Sequence, residues 1–137
     1  MTTNSQLVVF GLSNQRYALP IHNVSEIIRN MEVTRLPNAQ HYYTGIINLR
    51  GAVVPVINLH LRLGLEEGQL GKDARIIVTE ANGHKIGFTV ENVYSVTTYN
   101  ENEVDRPETV TAEEQHIIGI VHHESGMILL LDLDKIN

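Results

Sequence analysis

Asn82-Gly83, set between the apolar runs Ala74–Ala81 and His84–Val90, does most to narrow the folds open to this chain. Both residue types tolerate the positive φ of a two-residue type I′ turn, so the flanking runs read as the strands of one hairpin. Similar punctuation occurs elsewhere. Gln6–Leu12 and Arg16–Ile21 flank Ser13-Asn14, the stretch Gly45–Leu59 is divided by Arg50-Gly51, and Ile117–His123 and Met127–Leu133 flank Glu124-Ser125-Gly126. Short β-branched runs broken in this way predict an all-β chain and favour closed barrels over an open sheet. Helix is expected only as single turns, one over Asn23–Ile28 and one beginning at the equivalent Asn92. Pro55 cannot donate to a ladder, so its strand is expected at an edge or with a bulge there. Gly64–Asp73 reads as a polar surface loop, with Pro37–Tyr43 and Arg106–Gln115 as the other long connections.

The order of elements also repeats. When Tyr17–Leu59 is laid over Ile86–Leu133, Leu19, Ile21, Asn23, Val24 and Ile27 match Phe88, Val90, Asn92, Val93 and Val96 at an offset of 69, position 21 lying over 90. Further on, Gly45-Ile46-Ile47 and Asn58-Leu59 match Gly119-Ile120-Val121 and Asp132-Leu133 at an offset of 74, position 45 lying over 119. Two similar β subdomains are therefore expected, with repeat units roughly 15–60 and 84–134 inside a single domain spanning 1–137.

Composition excludes several classes of function. A chain of 137 residues, 42% hydrophobic and 19% charged, has ordinary globular usage rather than that of a disordered segment. No uncharged apolar run reaches the ~18 residues of a spanning helix. The polar start Thr2-Thr3-Asn4-Ser5 lacks a signal peptide's regions, so a cytoplasmic chain without direct membrane insertion is expected. Without cysteine there are no disulfides, thiolate metal sites or thiol nucleophiles. A net charge of -6, with the ten Lys and Arg residues scattered, argues against nucleic acid as a partner.

Catalytic patterns are scarce. His122 and His123 are adjacent on an expected strand, so their side chains leave opposite faces, and His22, His41, His60, His84 and His116 show no ligand spacing. All read as solvated or structural. Asp132 and Asp134 would share one face of a continued strand in the manner of a paired-carboxylate site, but read as solvating the C-terminal end. Gly68–Lys72 fails as a phosphate loop, because Asp73 stands where a hydroxyl is required and Glu66-Glu67 would repel phosphate. Ser25, Ser95 and Ser125 read as turn residues rather than nucleophiles. No catalytic residue, metal or cofactor is expected.

Recognition remains. Arg50 is the one cation in the otherwise nearly uncharged stretch Gly45–Leu59, and a turn would hold its planar fork of donors out from a rigid sheet, suited to a carboxylate. Glu26 has no charged counterpart in the repeat, where Ser95 stands. If the two were neighbours each would orient the other, and a partner would compete for either charge. On the residues alone, a rim salt bridge worth ~0–1 kcal/mol, or an Arg that merely finishes a turn, stands equally well.

Tyr17-Ala18-Leu19-Pro20-Ile21, Val24-Ser25-Glu26-Ile27, Gly45-Ile46-Ile47-Asn48-Leu49-Arg50-Gly51, Val54-Pro55-Val56-Ile57-Asn58-Leu59, Gly87-Phe88-Thr89-Val90-Glu91 and Leu131-Asp132-Leu133 together resemble the CheW-like family of bacterial chemosensory adaptors. The resemblance implies two small SH3-like five-stranded β-barrels with few helical turns. It implies a non-catalytic scaffold that couples transmembrane chemoreceptors to the histidine kinase CheA, in the cytoplasm at membrane-bound receptor clusters. Carried onto matching positions, it makes Val24, Glu26 and Arg50 a surface for the receptor's cytoplasmic tip, with Val93 and Val96 contributing from the other side of a groove between subdomains. Asn48, Leu49 and Gly51 shape the turn of the motif. The kinase would engage through its own CheW-like regulatory domain, by residues that the resemblance does not identify. Asn58 and His60 depart from the family, where Asp and Arg are common, and Asn92 stands where Gly is frequent. The chain lacks a receiver domain and every kinase module, as a stand-alone adaptor would. Two rival readings are a small barrel binding single-stranded nucleic acid through Tyr42, Tyr43, Tyr94 and Tyr99, which lack an accompanying basic track, and an enzyme using Asp132, Asp134 or a histidine.

Overall fold

Two-residue turns in the left-handed region build the hairpins. The computed structural model describes residues 4–66, 68, 70–106, 116–123 and 126–137. In it Ser13 and Asn14 have φ of 50° and 63°, Arg50 and Gly51 of 51° and 84°, and Asn82 and Gly83 of 55° and 78°. Paired positive φ values give a turn whose twist matches that of the strands it joins. These turns join β1 (Asn4–Leu12) to β2 (Gln15–Pro20), β4 (Tyr43–Leu49) to β5 (Ala52–Asn58), and β6 (Arg75–Ala81) to β7 (His84–Val90), all antiparallel. A fourth hairpin joins β10 (Ile117–His123) to β11 (Gly126–Leu131). Its turn residues Glu124 and Ser125 lie outside the described residues, as does all of the expected Arg106–Gln115 connection except Arg106.

The remaining strands among the described residues are β3 (Val24–Arg29), β8 (Asn92–Asn100) and β9 (Val104–Asp105). Among the described residues α-helix is confined to two four-residue pieces, α1 (Leu59–Arg62) and α2 (Leu133–Ile136). Asn58 and Asp132 cap them, accepting the amides of Leu61 and Asp134 at 3.2 and 3.0 Å. Asp132 and Asp134 are thus at a helix start, not along one strand face. The expected helical turns at Asn23–Ile28 and Asn92 are corrected in the same way. Ile21–Asn23 forms a 3-10 turn, but Val24 onward is β3 and Asn92 begins β8, which makes Ser25 and Ser95 strand residues.

The strands form two sheets, ordered β8-β1-β2-β11-β10-β9 and β3-β6-β7-β5-β4. Each contains one parallel pair, β2 with β11 and β5 with β7. The chain passes from the first sheet to the second through Ile21–Asn23 and returns through Glu91, the single residue between β7 and β8. The all-β expectation holds. That of two closed five-stranded barrels does not, because among the described residues the first sheet has six strands and neither sheet closes on itself. Pro55 needs a correction too, since β5 is an interior strand and its bulge falls opposite, between Tyr43 and Gly45 of β4. The proline is tolerated because the ladder to β7 begins one residue later, at Val56.

Alternation along the strands divides the apolar residues into three clusters. Leu7, Val9, Ala18, Val121, Ile128 and Leu130 pack within the first sheet, and Ile47, Val54, Val56, Ile76 and Val78 within the second. Between the sheets, Val8, Phe10, Leu12, Leu19 and Leu131 meet Ile57, Leu59, Ile77, Phe88 and Val90. Central strands such as β1 and β6 are therefore apolar on both faces, which is why Leu7–Phe10 and Ile76–Val78 are unbroken apolar runs. Gly45 is required by close approach: a Cβ there would lie 2.0 Å from the Thr34 carbonyl oxygen, where Thr34 bridges to Ile46.

Candidate functional site

The local geometry of β3 is set by one extra residue. Val24 pairs with Thr79 and Glu26 with Val78, so Ser25 is bulged out of the ladder. Directly paired residues share a face. Val24 and Ile27 therefore lie on the Ile77 side, toward the inter-sheet core, while Glu26 and Ile28 lie on the Val78 side, over the core of the second sheet. A matching bulge in β8, at Tyr94, puts Val93 opposite Phe10 and Val96 opposite Val8, again on the inter-sheet side. Val24 and Val93 pack against that core, whereas Ile27 and Val96 remain 38% and 51% exposed.

Glu26 meets Arg50. The Nη2 of Arg50 donates to the Oε2 of Glu26, with side-chain exposures of 67% for the arginine and 24% for the glutamate. The pair spans the open side of the second sheet, because β3 is one edge of that sheet and the β4–β5 turn adjoins the other. Asn48 stabilises the turn from within, its Oδ1 accepting the Gly51 amide at 2.9 Å, and Leu49 packs inward with Ile28. Arg50 itself holds a positive φ, which costs a non-glycine residue about 1–2 kcal/mol. Beyond the turn Val53 is 65% exposed. The arrangement offers a fork of donors on a fixed turn, an acidic group that already orients it, and apolar side chains on the neighbouring edge strand. It suits recognition of a carboxylate-bearing protein surface.

The sequence-based site residues are thus only partly brought together. Glu26 and Arg50 touch; Val24 is on the same strand as Glu26 but on its other face; Val93 and Val96 belong to the other sheet, where Val93 shares the inter-sheet core with Val24 and Val96 stays exposed. Ile27, which the sequence reading passed over as a site residue, is the exposed partner of Val24 and occupies the place of Val96 in the repeat. Of the four tyrosines considered for base stacking, Tyr99 is 6% exposed and Tyr94 lies under the Arg16 guanidinium, 3.9 Å from the ring centroid.

A second polar contact was not foreseen. His60, 1% exposed on α1, places Nε2 2.9 Å from Glu91 Oε2, and the same oxygen accepts the Ser13 amide. Burial alone would raise the Glu91 pKa, but the hydrogen bonds from His60 and the Ser13 amide, with the attraction of His60, hold it below its ordinary value.

This two-sheet arrangement recurs in a solved structure. A family model for the CheW-like domain matches residues 6–137. The chain belongs to that family. Chemotaxis protein CheW of Bacillus subtilis is 32% identical over 136 residues, covering 98% of this chain and 87% of the relative. CheW of Helicobacter pylori is 30% identical, covering 96% and 80%. The crystal structure of the scaffolding protein TtCheW from Thermoanaerobacter tengcongensis superimposes with a TM-score of 0.88 at 35% identity, covering 96% of this chain and 86% of that one. Within a CheW-like chain the departures noted above have structural accounts. Asn58 retains the capping of α1 without a charge, and His60 spends its ring on Glu91. Asn92 is accommodated by Gly11, where a Cβ would lie 2.3 Å from the Asn92 Oδ1.

Proposed function

We propose that this chain is an adaptor of bacterial chemosensory signalling, without chemistry of its own, that couples chemoreceptor tips to a CheA-type histidine kinase. The observation that carries the reading is the Arg50–Glu26 pair: a cation two-thirds exposed on a strained turn, held by an acid from the opposite edge of its sheet. We assign Val24, Glu26 and Arg50 to the receptor-facing surface, with Val93 and Val96 on the neighbouring edge strand of the first sheet. The kinase engages through its CheW-like regulatory domain, each curled sheet acting as an open form of an SH3-like barrel. The two sheets, whose orders run in parallel, are read as one duplicated unit. The adaptor works in the cytoplasm at receptor clusters, where it holds receptor and kinase in register so that receptor states bias kinase geometry through differential contacts.

The test is copurification of the chain with a receptor cytoplasmic tip and, separately, with a CheA regulatory domain. Arg50→Ala and Glu26→Ala are expected to weaken the receptor complex while leaving the fold and the kinase complex intact. Normal receptor binding by both variants would overturn the site, and a native chain that binds neither protein would overturn the function.

A further inference from the structure

We propose that His60 and Glu91 form a clasp that fixes the angle between the two sheets at one chain crossing, and that the other crossing, through His22, is its unclasped counterpart. Glu91 alone separates β7 of the second sheet from β8 of the first, so its side chain sits where the chain crosses between the sheets. Its carboxylate reaches in two directions. Oε2 lies 2.9 Å from the Nε2 of His60, on the helix that follows β5, and accepts the Ser13 amide from the β1–β2 turn. The Glu91 amide donates to the Gly11 carbonyl at 3.1 Å. One carboxylate thus ties a helix of the second sheet to a turn of the first. Releasing it would leave the nearly fully buried His60 ring without this partner, a penalty that opposes opening.

The repeat supplies an internal comparison. At the offsets of 69 and 74 the counterparts of Glu91 and His60 are His22 and Asp134, the same two chemistries with their places exchanged. Both line one cleft of about 310 Å³ beside the first crossing. Both are exposed, and among the described residues no ion pair joins them. One crossing is therefore held by a part-buried contact and the other by no such pair, which makes the Ile21–Asn23 crossing the hinge and Glu91 the stop. The inference concerns the isolated chain and does not depend on the partners proposed above.

Because the chain has no cysteine, a clean pair of spin labels can be placed at Glu80→Cys on β6 and Thr98→Cys on β8, both exposed and on different sheets. Pulsed dipolar spectroscopy should give one narrow distance distribution. Glu91→Ala is expected to shift and broaden it, His60→Leu to do the same where that variant folds, and His22→Ala to leave it unchanged. Glu91 is partly exposed, so its truncation tests the clasp without depending on a core substitution. A folded Glu91→Ala chain with the original distribution, even one with a lowered melting temperature, would overturn the clasp. Equal broadening by His22→Ala would overturn the distinction between the two crossings.

Discussion

If Arg50 is placed for recognition, removing its ion pair should cost little stability. A double-mutant cycle with Arg50→Ala, Glu26→Ala and the double variant isolates the pair. Two unit charges 4 Å apart attract by about 1 kcal/mol in bulk water and about 4 kcal/mol at the effective dielectric of a protein surface. Arg50 is 67% exposed and Glu26 24%, so solvent screening and the entropy of ordering a long side chain leave a coupling of about 0.5–1 kcal/mol. The backbone gives a second expectation. At a φ of 51° the turn favours glycine, so Arg50→Gly should be more stable than Arg50→Ala by about 1 kcal/mol. In a domain of this size 1 kcal/mol corresponds to a shift of about 3–5 °C in Tm, measurable by thermal and urea unfolding. A coupling above about 2 kcal/mol would refute the reasoning and make the pair a structural staple across the open side of the second sheet.

Phe88, fully buried between the sheets, provides the contrast: Phe88→Ala should destabilise by about 3–5 kcal/mol, seen as a large fall in the urea midpoint. Stability should also depend on pH through Glu91. Its folded-state pKa is lowered from 4.5, so its contribution is present above the unfolded value and is lost as pH falls through the folded one. Glu91→Gln should therefore flatten the acid limb of a stability profile below about pH 4.5, and an unchanged profile would contradict the hydrogen bonds assigned to it.

The hairpins were legible in the sequence because a two-residue turn writes its backbone demand into residue type, as at Ser13-Asn14 and Asn82-Gly83. β3 and β8 misled for a physical reason. A bulge at Ser25 or Tyr94 places residues three apart on one face, so Val24 with Ile27, and Val93 with Val96, mimic the spacing of a helix. α1 and α2 are each four residues long, too short for any periodic signal to show. Closure of the sheets was also beyond the sequence, since strand patterns record which faces are buried and not whether the last strand returns to the first. For the site, Arg50 stood out as a lone cation among apolar residues, but its contact with Glu26 depends on the curl that brings the two sheet edges together. The His60–Glu91 contact left no mark, because the two lie 31 positions apart with no spacing rule linking them.

The most direct test of the account is a single reconstitution, in which the chain is mixed with a receptor tip and a CheA regulatory domain and analysed by size-exclusion chromatography. The native chain should carry both proteins in one peak, and Arg50→Ala should carry the kinase domain alone. A native chain that never holds the two together, or an Arg50→Ala chain that still does, would contradict the claim that the chain couples both proteins and meets the receptor through its Arg50 surface.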